Sequence, residues 1–276
     1  MSSTRDIRNK IRAVRNIEQI CRAMKTVASI RLRRTEQRLE AARPYCEGLA
    51  SLAGRLAALL PDHPLLAPRP AGRTGLILFT SDRGLCGGYN AGAVRRALSL
   101  GEAEQVAVFA VGRRGQMHMA RRGYAIVDRI IPLGGEPDLR LVARLADRVG
   151  QRYWSGELDR VVLVYSKFLG GARFQVRADT ALPIEPQAIA YHEAIFEPAL
   201  PDLLPGLLER YLRSRLVAAA LESSASEHAA RVSAMTAATD NAEEMIRDLT
   251  LDYNQARQAG ITRELTEIVS TAEATA

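Results

Sequence analysis

Few residues near the two ends of this 276-residue chain would interrupt a helix. Pro44 is the only proline between residues 3 and 60, and no proline follows Pro205. Because proline lacks an amide hydrogen and clashes with the preceding helical turn, its scarcity favours helix. We predict two long helices, from 3 to about 60 and from 205 to about 271, with lengths of roughly 85 and 100 Å. A domain made from the middle of the chain should be about 40 Å across, so we expect the helices to project beyond it.

The sequence also lacks long apolar runs, paired cysteines and metal-ligand spacing. The longest apolar runs are far shorter than the roughly 20 residues that cross a bilayer, and the N-terminus is charged from Arg5 without an apolar signal segment. Three widely spaced cysteines argue against disulfides or a zinc site, and the four histidines are scattered. We expect reduced, structural cysteines, a cytoplasm-like compartment, no metal and no cofactor. The residues are Cys21, Cys46, Cys86, His63, His118, His192 and His228.

Charge of opposite sign is concentrated at the two ends. Residues 1–43 carry twelve Arg or Lys and four acids, whereas residues 222–276 carry ten acids and four arginines. Opposite charges beside a helix seam select the partner and its orientation. We therefore expect the terminal helices to pair, which leaves surplus positive charge for an outside partner.

Apolar residues form helical stripes in both terminal segments. The N-terminal stripe has intervals of three and four residues, near the coiled-coil spacing. In the C-terminal segment, 218–238 is rich in Ala and Ser, which predicts close helix approach there, although high helix propensity explains it equally well. The N-terminal stripe contains Ile7, Ile11, Val14, Ile17, Ile20, Met24 and Val27, and the C-terminal one contains Met245, Leu249, Ala256, Ile261, Leu265 and Ile268.

The middle of the chain, 61–202, alternates strand-like apolar runs with amphipathic segments. Such alternation is typical of βαβ units and of a mostly parallel sheet. We predict a Rossmann-like α/β domain with five strands, the last one antiparallel at an edge, between helical segments 1–60 and 203–276. The strands fall at 75–81, 105–111, 124–131, 159–166 and 172–184, and the helices at 90–100, 113–122 and 137–154.

The segment SDRGLCGGYNAG, residues 81–92, follows the first strand, where phosphate-binding loops occur in α/β proteins. Its glycines match neither G-x-G-x-x-G nor a Walker A loop. A tight turn with close backbone packing is therefore favoured over a nucleotide-binding loop. No histidine is nearby to activate Cys86, which favours a buried thiol over a catalytic one.

No catalytic set of residues can be recognised from the order of the sequence. The basic N-terminal helix could neutralise phosphates of nucleic acid, but it has no aromatic residue before Tyr45 and its apolar stripe needs a protein partner. A nucleotide-binding enzyme and a nucleic-acid-binding scaffold thus stay as alternatives to a helical shaft.

Three segments of the chain form a recognisable set: IRNKIRAVRNIEQICRAMKTVASIRLRR, SDRGLCGGYN and ASEHAARVSAMTAATDNAEEMIRDLTLDYNQARQAGITRELTEIVS. They resemble, in that order, the first helix, the central loop and the last helix of the gamma subunit of rotary F-type ATP synthases. The resemblance implies a left-handed antiparallel coiled coil inside a hexamer of alpha and beta subunits. It also implies an α/β domain against the epsilon subunit and the membrane ring.

The resemblance further implies a rotor that couples ion flow to ATP synthesis or hydrolysis and is not itself the catalyst. It would be a peripheral subunit on the cytoplasmic face of the inner membrane. Neither nucleic acid nor a small-molecule substrate is implied as its ligand.

Individual positions inherit roles from the same resemblance. Met24 and Lys25 would face an acidic loop of a beta subunit. Arg257, Gln258 and Thr262 would form a rotational catch on a beta loop. The remaining expected sites are a bearing at Leu265, Ile268 and Val269, the family loop at Asp82, Arg83, Gly84, Cys86, Gly87 and Gly88, and an epsilon and ring contact at Tyr191, Phe196 and Pro198.

Overall fold

The computed structural model describes residues 4–60, 63, 66–67, 69, 72–130, 137–187 and 200–275. A long helix stands at each end of the chain. Between these two helices lie five strands and three shorter helices. This order confirms the predicted α/β class. The elements are α1 (Thr4–Leu59), β1 (Thr74–Phe79), α2 (Tyr89–Leu98), β2 (Val106–Val111), α3 (Arg113–Ala120), β3 (Ala125–Ile130), α4 (Leu139–Trp154), β4 (Arg160–Gly170), β5 (Arg173–Leu182) and α5 (Leu200–Thr275).

The five strands form one sheet in the order β3-β2-β1-β4-β5. Strands β1 to β4 run parallel to one another, and β5 pairs antiparallel with β4 at the edge. All five predicted strands and the antiparallel edge are thus confirmed. The connection between β4 and β5 is tight because Gly170 and Gly171 adopt φ values of 95° and 61°, which side chains with a Cβ rarely reach.

The chain divides into two compact units, and both long helices contribute to each. One unit comprises Met1–Val27 and Val232–Ala276, and the other comprises Ala28–Arg231. These boundaries lie inside the helices and not at residues 60 and 203. The division into segments 1–60, 61–202 and 203–276, drawn from the sequence, remains a prediction.

In the larger unit, both faces of the sheet are buried, which explains the continuous apolar runs of its parallel strands. Alternate side chains point to opposite faces, so Leu76 and Leu78 pack with α2 and α3, whereas Ile77 and Phe79 pack with α4. The second face is also covered by residues of α1 and α5, which therefore belong to the core of the domain. These residues include Leu49, Ala53, Leu56 and Ala57 of α1 and Leu204, Leu208, Leu212 and Leu216 of α5.

Helix α5 begins at Leu200, before the predicted starts at residues 203 and 205. Pro201 lies in the first turn, where amide hydrogens have no partner within the helix, so its missing hydrogen has no consequence. Pro205 removes only one further hydrogen bond close to the helix start. The structure therefore moves the predicted helix start forward by a few residues, because prolines in the first turns do not prevent a helix.

In the smaller unit, α1 and α5 run antiparallel. The Arg22 guanidinium is 3.0 Å from the Glu243 carboxylate. Nearer the start of α1, Arg8 donates a 2.6 Å hydrogen bond to the Tyr253 hydroxyl and lies over its ring, which lowers the pKa of Tyr253. These pairs link the basic segment of α1 to the acidic segment of α5, as the charge distribution predicts.

The buried seam of α1 departs from the predicted stripe. Ile7, Ile11 and Val14 lie on it, but Ile17 and Ile20 are 55% and 59% exposed. Two successive steps of three residues after Val14 turn the side chain by roughly 120° away from the starting direction. The seam instead keeps a strict seven-residue repeat, which is typical of a left-handed coiled coil. Its buried or half-buried positions are Ile7, Ile11, Val14, Glu18, Cys21 and Lys25.

Helix α5 shows a similar difference. Leu249 and Ala256 are half-buried as predicted, whereas Met245 is 52% exposed and Ile246 takes the seam position beside it. Further seam positions are Met235, Thr239, Ala242 and Tyr253. Larger apolar side chains had been preferred in the prediction, but small Ala and Thr side chains occupy part of the seam.

Candidate functional site

The loop that follows β1 is fixed by hydrogen bonds to residues at the starts of α2 and α3. The Ser81 amide donates to Asn90 Oδ1 at 3.0 Å, and Asn90 Nδ2 donates to Ser81 Oγ at 2.7 Å. The Asp82 carboxylate accepts from the Arg113 amide at 3.0 Å. Gly87 has a φ of 55° and Gly88 caps the start of α2. The loop is therefore a tight strand-to-helix turn, as the sequence predicts.

Cys86 and Tyr89 carry this loop into a buried contact with α5. Both side chains are 1% exposed, and they pack with Ala230 and Phe174. The Tyr89 hydroxyl donates a 3.1 Å hydrogen bond to the Ser223 carbonyl. Burial raises the pKa of the Cys86 thiol, so the thiol stays protonated and unreactive. The predicted buried role of Cys86 is confirmed.

Arg231 of α5 binds the same loop from the helix side. Its Nη2 lies 3.3 Å from the Gly84 carbonyl and 2.7 Å from the Glu227 carboxylate. Burial raises the pKa of Glu227, and the Arg231 charge opposes that shift. A buried carboxylate of this kind depends on its cation, since removing the partner leaves an uncompensated charge.

Helix α5 also covers the place where α/β sheets usually bind ligands. That place lies beyond the carboxyl ends of the strands where the strand order reverses, here between β1 and β4. Ser166 of β4 lies beyond the last residue of β4 that pairs with β1. Its amide donates to Ser223 Oγ at 3.2 Å, and its carbonyl accepts from Ser226 Oγ at 2.9 Å. The chain's own helix fills this position, with the Ser residues of 218–238 as the contacts.

Of the predicted beta-contact residues of α1, Lys25 lies on the seven-residue repeat of the seam and Met24 lies beside it. Met24 and Lys25 are both half-buried, so the structure places them between a seam role and a surface role. Exposed apolar side chains flank them, which the sequence interpretation had assigned to the seam. These are Ile17, Ile20 and Val27.

The predicted catch residues lie together on exposed helix. Arg257, Gln258 and Thr262 are all exposed. The Thr262 hydroxyl donates a 3.0 Å hydrogen bond to the backbone carbonyl of Gln258. The side-chain amide of Gln258 takes no part in this bond. The interaction fixes the Thr262 side chain along the helix.

The predicted bearing residues are each more than half exposed to solvent. Leu265, Ile268 and Val269 are 58%, 65% and 55% exposed. From residue 261 to 271 every described side chain of α5 is exposed. Large apolar side chains in such a run mark an interaction surface.

The predicted epsilon and ring contact at Tyr191, Phe196 and Pro198 lies outside the described residues. Within the described residues, no group of His, Cys, Asp or Glu side chains could hold a metal ion, and no helix has an apolar stretch that could cross a membrane. All three cysteines are free and buried.

Comparison with known proteins gives matches along the whole chain. A family model described as ATP synthase matches residues 3–275. The ATP synthase gamma chain of Desulfitobacterium hafniense is 43% identical over 279 residues, which covers 99% of each chain. That of Halothermothrix orenii is 39% identical over 285 residues, again with 99% of each chain covered.

Solved structures that resemble this chain also come from ATP synthases. A chain in the central stalk and c-ring of the Tetrahymena thermophila mitochondrial ATP synthase is 26% identical with a TM-score of 0.62, over 79% of this chain and 99% of that one. A chain in the OSCP, F1 and c-ring structure of the Euglena gracilis enzyme has a TM-score of 0.71 and 18% identity, over 99% of this chain and 94% of that one. The second likeness concerns the fold alone.

Proposed function

The chain belongs to the ATP synthase gamma-chain family, as a subunit of the central-stalk rotor, and we propose that it couples ion flow through a membrane ring to ATP chemistry by rotating inside a hexamer of alpha and beta subunits. The observation that carries this proposal is the antiparallel pair of α1 and α5 with an exposed apolar end. Such a pair has surfaces left over for an enclosing partner.

Coupling requires the rotor to favour different conformations of the subunits around it. A ligand shifts an equilibrium only by its difference in affinity for the two states. The two helices supply such a difference because their surfaces are unlike. Surplus arginine and lysine lie on α1, and acids lie on α5.

Each contact surface supports one part of the proposed mechanism. Met24 and Lys25 bring an apolar and a cationic group to the seam and its edge, where an acidic beta loop would meet them. Arg257, Gln258 and Thr262 present donors and acceptors for a second beta loop that acts as a catch. Leu265, Ile268 and Val269 would turn within an apolar sleeve.

The α/β segment between the long helices has a different role in this proposal. We assign the α/β segment 61–202 to contacts with the epsilon subunit and the membrane ring, and segments 1–60 and 203–276 to the shaft. The chain would be non-catalytic, with ATP chemistry at the beta subunits. It would lie on the cytoplasmic face of the inner membrane as a peripheral subunit.

Reconstitution tests the proposal. Alpha and beta subunits from the same source are assayed for magnesium-ATP hydrolysis with and without the chain, and the native mass of the product is measured. The expected result is one copy in the hexamer and hydrolysis that depends on it, with no hydrolysis by the chain alone. A chain that neither joins nor activates the hexamer would contradict the proposal.

A further inference from the structure

A cavity of about 430 Å³ lies between α1, β4 and α5 within the unit Ala28–Arg231. This volume is in the range of pockets that take small organic molecules. The cavity is separate from the helix surfaces assigned to the rotor contacts and from the loop after β1. Its wall combines apolar side chains, among them Leu39, Ala50 and Leu163, with the cationic side chains of Arg43, Lys167 and Arg215.

The cations of this cavity are poorly neutralised by the protein. Within the described part of the chain, the side chains of Arg43 and Lys167 make no hydrogen bond or ion pair. Arg215 has one long contact, 3.5 Å, with Asp179. The same Asp179 oxygen accepts a 2.8 Å hydrogen bond from Tyr165, so its charge is shared.

Two acids also line the cavity, and neither forms a direct ion pair with these cations among the described residues. Glu222 is buried and one of its oxygens accepts the Phe168 amide at 2.6 Å. It lies near Lys167 and Arg43 without a direct ion pair among the described residues. Glu47, like Arg43, is an exposed residue of α1. Three cations therefore face two acids, of which one is already hydrogen-bonded to the backbone.

We propose that this cavity binds a small organic anion, a carboxylate or sulfonate with an apolar body. The charged group would meet Arg43, Lys167 and Arg215, since ionised acceptors form the stronger hydrogen bonds with such donors. The apolar body would lie against the Leu39 and Leu163 side of the wall. Binding would join α1, β4 and α5 at one point of the domain.

Anilinonaphthalene sulfonate is a suitable probe because phenylnaphthylamine has the same aromatic body without the charge. Cys46 lines the cavity, whereas Cys21 and Cys86 do not. The rate at which N-ethylmaleimide modifies each cysteine of the full chain is followed by peptide mass spectrometry against probe concentration. We expect the sulfonate to protect Cys46 alone and the uncharged probe to protect it at least tenfold less effectively.

Substitutions at the cavity should change the sulfonate concentration for half-protection in opposite directions. Lys167→Gln and Arg43→Gln should each raise it about tenfold, the loss of one charge-assisted contact. Glu222→Gln should lower it, a gain that a misfolded variant would not show. Arg33→Gln removes one positive charge from an exposed position of α1 and should leave it unchanged.

Three results would overturn the proposal. Equal protection by the uncharged probe would mean that only the apolar wall matters. Protection of all three cysteines would mean general binding or stabilisation. Unchanged protection in Lys167→Gln and Arg43→Gln, with circular dichroism showing intact helix, would mean that the cations are simply solvated.

Discussion

The Tyr89 hydroxyl, at the start of α2, donates a 3.1 Å hydrogen bond to the Ser223 carbonyl in the middle of α5. Both residues are buried. Ser223 in turn accepts the Ser166 amide of β4 through its hydroxyl. One residue of α5 thus joins the loop after β1 to the sheet, so that a torque on the helix would pass into the domain at this point.

Replacing Tyr89 with Phe should lower the free energy of unfolding of the larger unit by about 1 kcal/mol, the usual net value of one hydrogen bond. The single Trp154 lies in this unit and its fluorescence follows the transition in urea. Tyr45→Phe is the matched control because Tyr45 is 61% exposed. Equal midpoints for the two variants would show that the Tyr89 bond adds nothing.

Glu222 should make the larger unit less stable as the pH rises. Burial raises the pKa of this carboxyl above its ordinary value of 4.5, against the Phe168 amide and the charges of Lys167, Arg43 and Arg177. The folded state therefore binds the proton more tightly than the unfolded state, and stability falls as the pH rises from 4.5 through the folded pKa. Below 4.5 both states are protonated and the effect is absent.

Glu222→Gln should consequently be more stable than the unsubstituted chain at pH 7 and equal to it near pH 4. The measurement is the urea midpoint by Trp154 fluorescence at both pH values. Glu104→Gln, at an exposed acid, serves as the control and should show no such difference. A Glu222→Gln variant that is less stable at pH 7 would mean that the charged form contributes favourably.

Gln258→Leu should weaken the coupling of hydrolysis to rotation in the assembled complex without unfolding α5. Gln258 is exposed and its backbone carbonyl, not its side chain, holds Thr262. Loss of a partner's hydrogen bond to this side chain predicts roughly a tenfold lower rate, about 1.4 kcal/mol. The measurement is the hydrolysis rate of the reconstituted complex, with Gln37→Leu on exposed α1 as the control. Unchanged activity would remove Gln258 from the catch.

Leu265→Asp with Ile268→Asp should leave the helix content of the free chain unchanged, because both side chains are more than half exposed. In the complex, the same charges would have to enter an apolar sleeve, which is costly. We expect the variant chain to leave the complex at a lower urea concentration than the unsubstituted chain does. Native mass spectrometry measures this release. Leu251→Asp, at a 62% exposed position, is the control. Equal release of both variants would argue against a bearing at the end of α5.

Much of the fold follows from the sequence because the patterns are local. Apolar runs bounded by helical segments place all five strands, and the scarcity of proline places α1 almost to the residue. The G-x-x-G-G spacing correctly favours a turn over a phosphate loop. The absence of a histidine close to Cys86 in the sequence correctly favoured a buried thiol.

The seam was harder to predict because burial of a helix depends on its partner. Ile17 and Ile20 are as apolar as Ile7 and Ile11, yet they face away from α5. Two strict seven-residue counts, one from Ile7 and one from Ile11, would have found the seam. The second count requires Glu18 and Lys25 to be accepted on it. Contacts such as Arg231 with Gly84 join residues that lie far apart in sequence, and no local pattern announces them.

Rotation itself tests the central claim most directly. In a chain whose three native cysteines are replaced by alanine, Leu169→Cys near the end of β4, at a 49% exposed position, can carry a visible bead while the hexamer is fixed to a surface. The account predicts that the bead turns in one direction when magnesium-ATP is added and stops when it is removed. A complex that hydrolyses ATP while a firmly attached bead stays still would contradict it.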